Sequence, residues 1–314
     1  MQHTPTSTAD GSSTLQLTQF GETYHSRNGA YTEAMHIYIK NGLEHLFESV
    51  ANRSHAAPSE TPAVGDTSGP DGSPVHLNIF DVGLGTGLNC ILTWVWQQQL
   101  RQAGLPYPRI TYYGIEKYPI HTSEIEQFNY PTIIAQHTDF SPDKLSEIFH
   151  LMHSCPWEKN VEVPNLTDTE HPVPLCCRGA GCTEVDFILH KSCADIADLG
   201  AEYYREAGRH SWGGDTEKLP ENEDKTGTAE HSGKGDAGIP AVVYYDTFSP
   251  ATQPNLWNEA IFRNIASGCT PGSLLVTYCS KGTVKHALRS AGFTLERLSG
   301  PPGKRHILRG TITP

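Results

Sequence analysis

Three carboxylates in this sequence stand where short apolar runs end, and a glycine-rich loop follows the first. The run Val75 to Asp81 (VHLNIFD) passes straight into Val82-Gly83-Leu84-Gly85-Thr86-Gly87-Leu88-Asn89. Glu116 closes RITYYGIE, and Asp246 closes AVVYYD. A glycine turn between a strand and a helix leaves bare backbone that a ligand can approach and helix N–H groups without partners. Carboxylates beside such a turn accept hydrogen bonds from hydroxyl and ammonium groups. A dinucleotide loop would be G-x-G-x-x-G with an acid about 20 residues on. Gly83 and Gly85 fit that pattern, but Leu88 stands at the sixth position and Glu116 is much further along. Together the glycines, Asp81 and Glu116 favour a nucleoside ligand, with Glu116 as a bidentate acceptor for the ribose diol. The plainer alternative makes Asp81 a helix cap and Glu116 a surface acid.

These residues need elements to hold them, and the chain supplies an alternation of strand and helix patterns. Strands are expected over 75–81, 109–116, 184–190, 241–246 and 273–278. Phe293–Leu298 and His306–Arg309 are expected to close the sheet as an antiparallel pair. Helical spacing runs over Leu88–Gln102, with Leu88, Ile91, Leu92, Val95 and Trp96 on one side. Further helices are expected from Ser123, over Ala194–Arg205 and over Thr283–Ser290. This is an α/β order with a mostly parallel sheet covered on both faces, and ligands bind such sheets beyond the carboxyl ends of the strands. Asp81, Glu116 and Asp246 all fall at such ends.

Composition narrows the partners. The chain has 314 residues and a formal net charge of -12, yet from Ala241 to Pro314 it carries +5. A basic C-terminal quarter on an acidic protein is a candidate phosphate-binding face; the alternative is that it balances acids elsewhere on the fold. No stretch approaches the ~20 apolar residues that span a bilayer, and the start has neither a basic segment nor an apolar core. An intracellular, cytoplasmic protein with eight reduced cysteines and no membrane partner is expected. Polar stretches near 52–74 and 208–238 lack apolar periodicity. They and the segment 156–181 are expected to be loop insertions in one domain spanning 75–314, after an N-terminal extension over 1–50.

The D-x-G-x-G-x-G loop resembles the S-adenosylmethionine loop of class I methyltransferases. The later motifs are more specific. Asp246, Phe248, Ser249, Pro250, Pro254 and Trp257 form one group. Thr277, Tyr278, Lys281, Gly282, Ala291, Gly292, Phe293, Gly303, Lys304 and Arg305 form a second. With Tyr24-His25-Ser26, Gly29-Ala30, Glu33 and His36 near the start, they resemble the methyltransferase domain of the MnmC family of tRNA wobble-uridine enzymes. The resemblance covers most of the chain outside the polar insertions and a segment near Cys155–Cys182.

That resemblance implies a Rossmann-like class I fold: a mostly parallel seven-stranded sheet with an antiparallel last strand and an N-terminal hairpin. It implies S-adenosyl-L-methionine as cofactor, held by Asp81, Gly83, Gly85, Gly87, Asn89 and Glu116, with Tyr24, Ser26 and Glu33 at the methionine end. It implies N-methylation of 5-aminomethyl-(2-thio)uridine at the tRNA wobble position. Asp246 would orient the amine, while Phe248, Pro250 and Tyr278 would wall the base. Lys281, Lys304 and Arg305 would contact phosphates of the anticodon stem-loop. The chain stops at the last methyltransferase strand, so the stand-alone form is implied, without FAD and with the amine-forming enzyme supplied separately.

One position departs from the family pattern. An acid near the adenine is expected just after the third parallel strand, where this chain has His190-Lys191-Ser192-Cys193-Ala194-Asp195; Asp195 serves from a displaced position, or Cys193 fills the slot. Cys176, Cys177 and Cys182 with His171 invite a zinc reading, but adjacent cysteines followed by a four-residue gap fit structural zinc poorly. Two other functions stay open on residues alone: methylation of a protein or small-molecule amine, and a catalytically silent binding module.

Overall fold

The computed structural model describes residues 3–18, 21–54, 74–166, 185–208 and 238–313. Most of the two polar stretches, and His171, Cys176, Cys177 and Cys182 of the zinc alternative, lie outside them. The described chain begins with an antiparallel hairpin, β1 (His3–Ser7) and β2 (Ser13–Leu17), with His3 opposite Leu17. Asp10, in its turn, accepts hydrogen bonds from the Thr32 backbone N–H (2.9 Å) and hydroxyl (2.8 Å), and so pins the next helix to the hairpin. That helix starts as α1 (Ala30–Ala34), widens into a π-helical segment over Met35–Glu44 and returns to α-helix as α2 (His45–Ser54).

Alternation then follows: β3 (His76–Val82), α3 (Leu88–Gln102), β4 (Arg109–Ile115), the single turn α4 (Thr122–Ile125), α5 (Tyr130–Ala135) and α6 (Pro142–Ser154). After them come β5 (Asn160–Glu162), β6 (Phe187–Ser192), α7 (Ala201–Ala207), β7 (Ala241–Tyr245) and α8 (Glu259–Gly268). β8 (Leu274–Thr277), α9 (Gly282–Ser290), β9 (Phe293–Ser299) and β10 (His306–Ile312) complete the fold.

The sheet order is β5-β6-β4-β3-β7-β8-β10-β9. The five strands from β6 to β8 are parallel, and β10 runs antiparallel between β8 and β9. The expected seven strands are therefore joined by an eighth. β5 lies inside the stretch read as an insertion over 156–181 and pairs antiparallel with β6. It occupies what would be an open edge of β6, helped by the Asn160 side chain on His190 Nδ1 at 2.8 Å. Two expected helices are shorter than the spacing predicts. Asp195 caps a 3-10 turn over Ile196–Asp198 and Gly200 separates it from α7, so 194–205 is not one helix. The helix from Ser123 is a single turn.

β3 alternates its side chains between two cores, as a strand covered on both faces must. Leu77 and Ile79 join Ile91 and Trp94 of α3; Phe80 and Val82 join Tyr204 of α7 and Phe262 of α8. The π-helical segment belongs to the first core and lies directly on β7 and β8. A Cβ added at Gly42 would sit 2.9 Å from Val276 Cγ2 and 3.3 Å from Val242 Cγ2, so glycine permits this approach. The Asn41 carbonyl accepts from Arg309 Nη1 at 3.2 Å. The chain order reverses around β3, whose neighbours are β4 and β7, which puts the switch point at the end of β3. Among the described residues, no helix is long and apolar enough to cross a membrane.

Three imidazoles, His25, His76 and His153, are largely enclosed, and burial pushes each from the usual 6.5 down to about 4. The unfolded chain then binds more protons than the native one between those values, so stability falls as pH drops from 6.5 toward 4. Denaturant unfolding across that range is expected to show this decline, and His76→Gln should make it shallower.

Candidate functional site

β3 and β7 end side by side, and the loops that follow them touch. Asp246 N–H donates to the Val82 carbonyl at 3.0 Å. Gly83, at φ 94, is so close that an added Cβ would lie 2.8 Å from the Asp246 carbonyl oxygen. Its N–H and that of Leu84 donate to the Ile115 carbonyl at 3.0 and 3.1 Å, which ties the glycine loop to the end of β4. From the other side, His25 and Tyr130 hold the Thr86 hydroxyl at 2.7 and 3.0 Å, and His153 meets the Thr86 carbonyl at 3.2 Å. The loop is thus fixed on three sides around a cleft of about 570 Å³.

Gly83, Gly85, Glu116, Asp195, Tyr24, Ser26, Glu33, Asp246, Phe248, Tyr278 and Lys304 all line that cleft. Glu116 accepts from Gly85 N–H at 3.1 Å and from Tyr118 N–H at 2.8 Å. Burial raises its pKa, and those backbone donors oppose the rise. Tyr24 meets the Phe248 ring edge-on at 5.0 Å. Glu33 is buried; it accepts from Ser26 N–H at 3.1 Å and pairs with Lys304. Lys304 also lies 4.4 Å from the centre of the Tyr278 ring. Tyr278 in turn donates to the Thr247 carbonyl at 2.9 Å. Asp195 stands at the rim, where its carboxylate pairs with Lys117 and accepts from Ala197 N–H. Burial works against its charge, but these contacts outweigh it and hold its pKa below the usual value.

Other expected site residues are not on the cleft wall. Asp81 is fully enclosed beneath the loop and accepts from the Tyr112 hydroxyl at 2.6 Å. Gly87 has φ 72 at the N-terminus of α3 and packs on His153. Both support the glycine loop without facing the cleft. Asn89 is buried below the floor and donates to Asp246 Oδ2 at 3.0 Å. Pro250 sits in the turn after β7, while Lys281 and Arg305 are exposed away from the lining. Lys304, expected at phosphates, instead faces the cleft and is held by Glu33.

Asp246 is half-buried at the floor, open to the cleft and otherwise packed by protein. Burial raises its pKa, opposed by Tyr38, Asn89 and Lys304. Sequence reasoning missed several neighbours. Lys117 and Tyr118 follow Glu116 directly, so their place at the strand end was available from spacing. Glu22 was not: it accepts from Ser249 N–H at 3.0 Å and from the Ser249 and Thr252 hydroxyls, across the cleft mouth. Nothing in the local sequence indicates a bond between positions 227 residues apart.

Residues 235–313 match a family model described as S-adenosyl-L-methionine-dependent methyltransferase. Over 237 residues, 74% of the chain, it is 26% identical to the tRNA 5-methylaminomethyl-2-thiouridine biosynthesis bifunctional protein MnmC of Pseudoalteromonas atlantica. The match spans 26% of that relative's length. The fold is similar to the crystal structure of MnmC2 from Aquifex aeolicus, with a TM-score of 0.56 and 18% identity, covering 100% of this chain and 72% of that one.

The cleft suits S-adenosylmethionine on its own terms. Gly83 and Gly85 present backbone where a Cβ would meet Asp246 or Tyr24, and Glu116 retains lone pairs for a diol. Gly83→Ala would force a side chain into both a left-handed backbone position and the Asp246 carbonyl. It is expected to weaken S-adenosylmethionine binding by roughly tenfold or more, read by isothermal titration; undiminished affinity would place the cofactor elsewhere.

Proposed function

We propose that this chain is an S-adenosylmethionine-dependent methyltransferase of the MnmC type that N-methylates the 5-aminomethyl group of (2-thio)uridine at the tRNA wobble position. The observation that carries the reading is the place of Asp246. Its carboxylate forms the floor of the cleft between the glycine loop and a wall made by Phe248, Tyr278 and Lys304.

A primary alkylammonium has no lone pair, so the amine must shed a proton before it can accept a methyl group. Asp246 is the group placed to hold that amine by hydrogen bond and receive the proton. Burial makes it a stronger base than an exposed aspartate, while Asn89 keeps the anion available. The bound cofactor supplies an electrophilic methyl on sulfonium sulfur. Glu116 would take the ribose diol, and Asp195 or Lys117 at the rim would border the adenine. Tyr24, Ser26 and Glu33, from the N-terminal extension, would close the methionine end.

Phe248 and Tyr278 offer aromatic surface to an extruded base, whose unstacking such walls compensate. The exposed Lys281 and Arg305 would meet anticodon-stem phosphates. The whole reaction of the longer relative is not implied, since the match covers about a quarter of it.

The test is mass analysis of wobble nucleosides after incubating the protein and isotopically labelled S-adenosylmethionine with tRNA bearing 5-aminomethyl-2-thiouridine. Labelled 5-methylaminomethyl-2-thiouridine is expected; label found only on protein or a free amine would replace the tRNA reading. Asp246→Asn is expected to lower the transfer rate by about 10²-fold or more, with cofactor affinity changed less than about threefold.

A further inference from the structure

Asp246 has a second neighbour beneath the floor that the sequence does not advertise. Tyr38 lies in the π-helical segment, 2% exposed, and its hydroxyl makes no well-formed hydrogen bond. The ring tilts at 47° against Tyr244, with centres 5.3 Å apart, and Tyr244 precedes Asp246 by two residues. Two features press the segment onto this spot: Gly42 lets it approach β7 and β8, and Arg309 takes up the Asn41 carbonyl. The carboxylate the phenol faces is that of Asp246. An enclosed hydroxyl that faces a carboxylate without closing a full hydrogen bond is unfavourable, and π-helical turns occur disproportionately at functional sites.

We propose that Tyr38 is a positioning residue for Asp246, whose O–H closes onto the carboxylate when the amine docks and holds it ionised and oriented. The inference rests on the catalytic reading of Asp246. Hydrogen bonds of this kind are often long without substrate and tighten in the complex.

The surrounding groups fix the direction of the effect. Asp246 is faced by Asn89 from α3, Lys304 before β10, Tyr278 after β8, Tyr130 from α5 and the enclosed Asp81 from β3; Glu33 and Tyr278 also face Tyr38. Lys304, Asn89 and Tyr38 favour the anion, while burial disfavours it. Burial and the nearby Asp246 raise the phenol's own pKa well above its ordinary value, so it remains a donor at every working pH. Removing its O–H therefore raises the pKa of Asp246.

The experiment is the pH profile of kcat, which reports the substrate complex, for methyl transfer to tRNA bearing 5-aminomethyl-2-thiouridine. Tyr38→Phe is expected to move the acid limb up by about one pH unit. It should lower kcat by about tenfold and leave KM for tRNA and S-adenosylmethionine affinity within about twofold. Placing 3-fluorotyrosine at 38, a more acidic phenol of nearly the same shape, should move the limb down, and keeps the test alive if the phenylalanine variant folds poorly. In an Asp246→Asn background Tyr38→Phe should cause no further loss. An unmoved acid limb in both variants, with Asp246→Asn inactive, overturns the role of Tyr38 alone. Full transfer by Asp246→Asn overturns the reading of Asp246 itself.

Discussion

The meeting of the β3 and β7 ends is the constraint on which the site depends. One hydrogen bond, from Asp246 N–H to the Val82 carbonyl, extends the parallel pairing a residue beyond β7. One glycine, Gly83, lets the two following loops come into contact where any side chain would force them apart. The glycine loop and Asp246 thereby become a single rigid corner, and the rest of the cleft is built outward from it. Glu116 arrives by way of β4, Tyr278 by way of β8, and the N-terminal segment covers the open side.

Within that corner two acids sit close together but in different surroundings. Asp81 is sealed off and bonded to Tyr112, with Asn89 beside it. Burial favours its neutral form. Asp246 opens to the cleft and has Asn89 and Lys304 to support a negative charge. Environments that separate the protonation of neighbouring carboxylates divide their duties as well: Asp81 braces the loop, and Asp246 remains available to a ligand.

The parallel strands were legible because strands covered on both faces are written as short, mostly apolar runs. α3 is legible for a related reason, with its bounds marked by Gly87 and a clear helical spacing. What escaped depended on pairing at a distance. β5 is three residues with no pattern of their own, made a strand by the open edge of β6. The 194–205 segment has helical composition, but capping by Asp195 and the break at Gly200 divide it. In the site, strand-end residues such as Glu116 and Asp246 could be placed from sequence, because topology alone delivers them. The direction a side chain takes could not: Asp81 and Asn89 stand in the expected motif yet turn under the floor, and Lys304 turns inward to Glu33. The π-helical register that brings Tyr38 beneath Asp246 leaves no trace in apolar spacing.

The ion pair between Glu33 and Lys304 joins positions 271 residues apart. During synthesis the sheet centre and the glycine loop emerge long before the partner of Glu33, and closing so long a loop carries an entropic penalty that only late contacts offset. A nascent chain with β3, β4 and β7 already paired still lacks one wall of its cleft. The stretch that carries Lys304 is thus the last part of the cleft wall to be synthesised, after the glycine loop and Asp246.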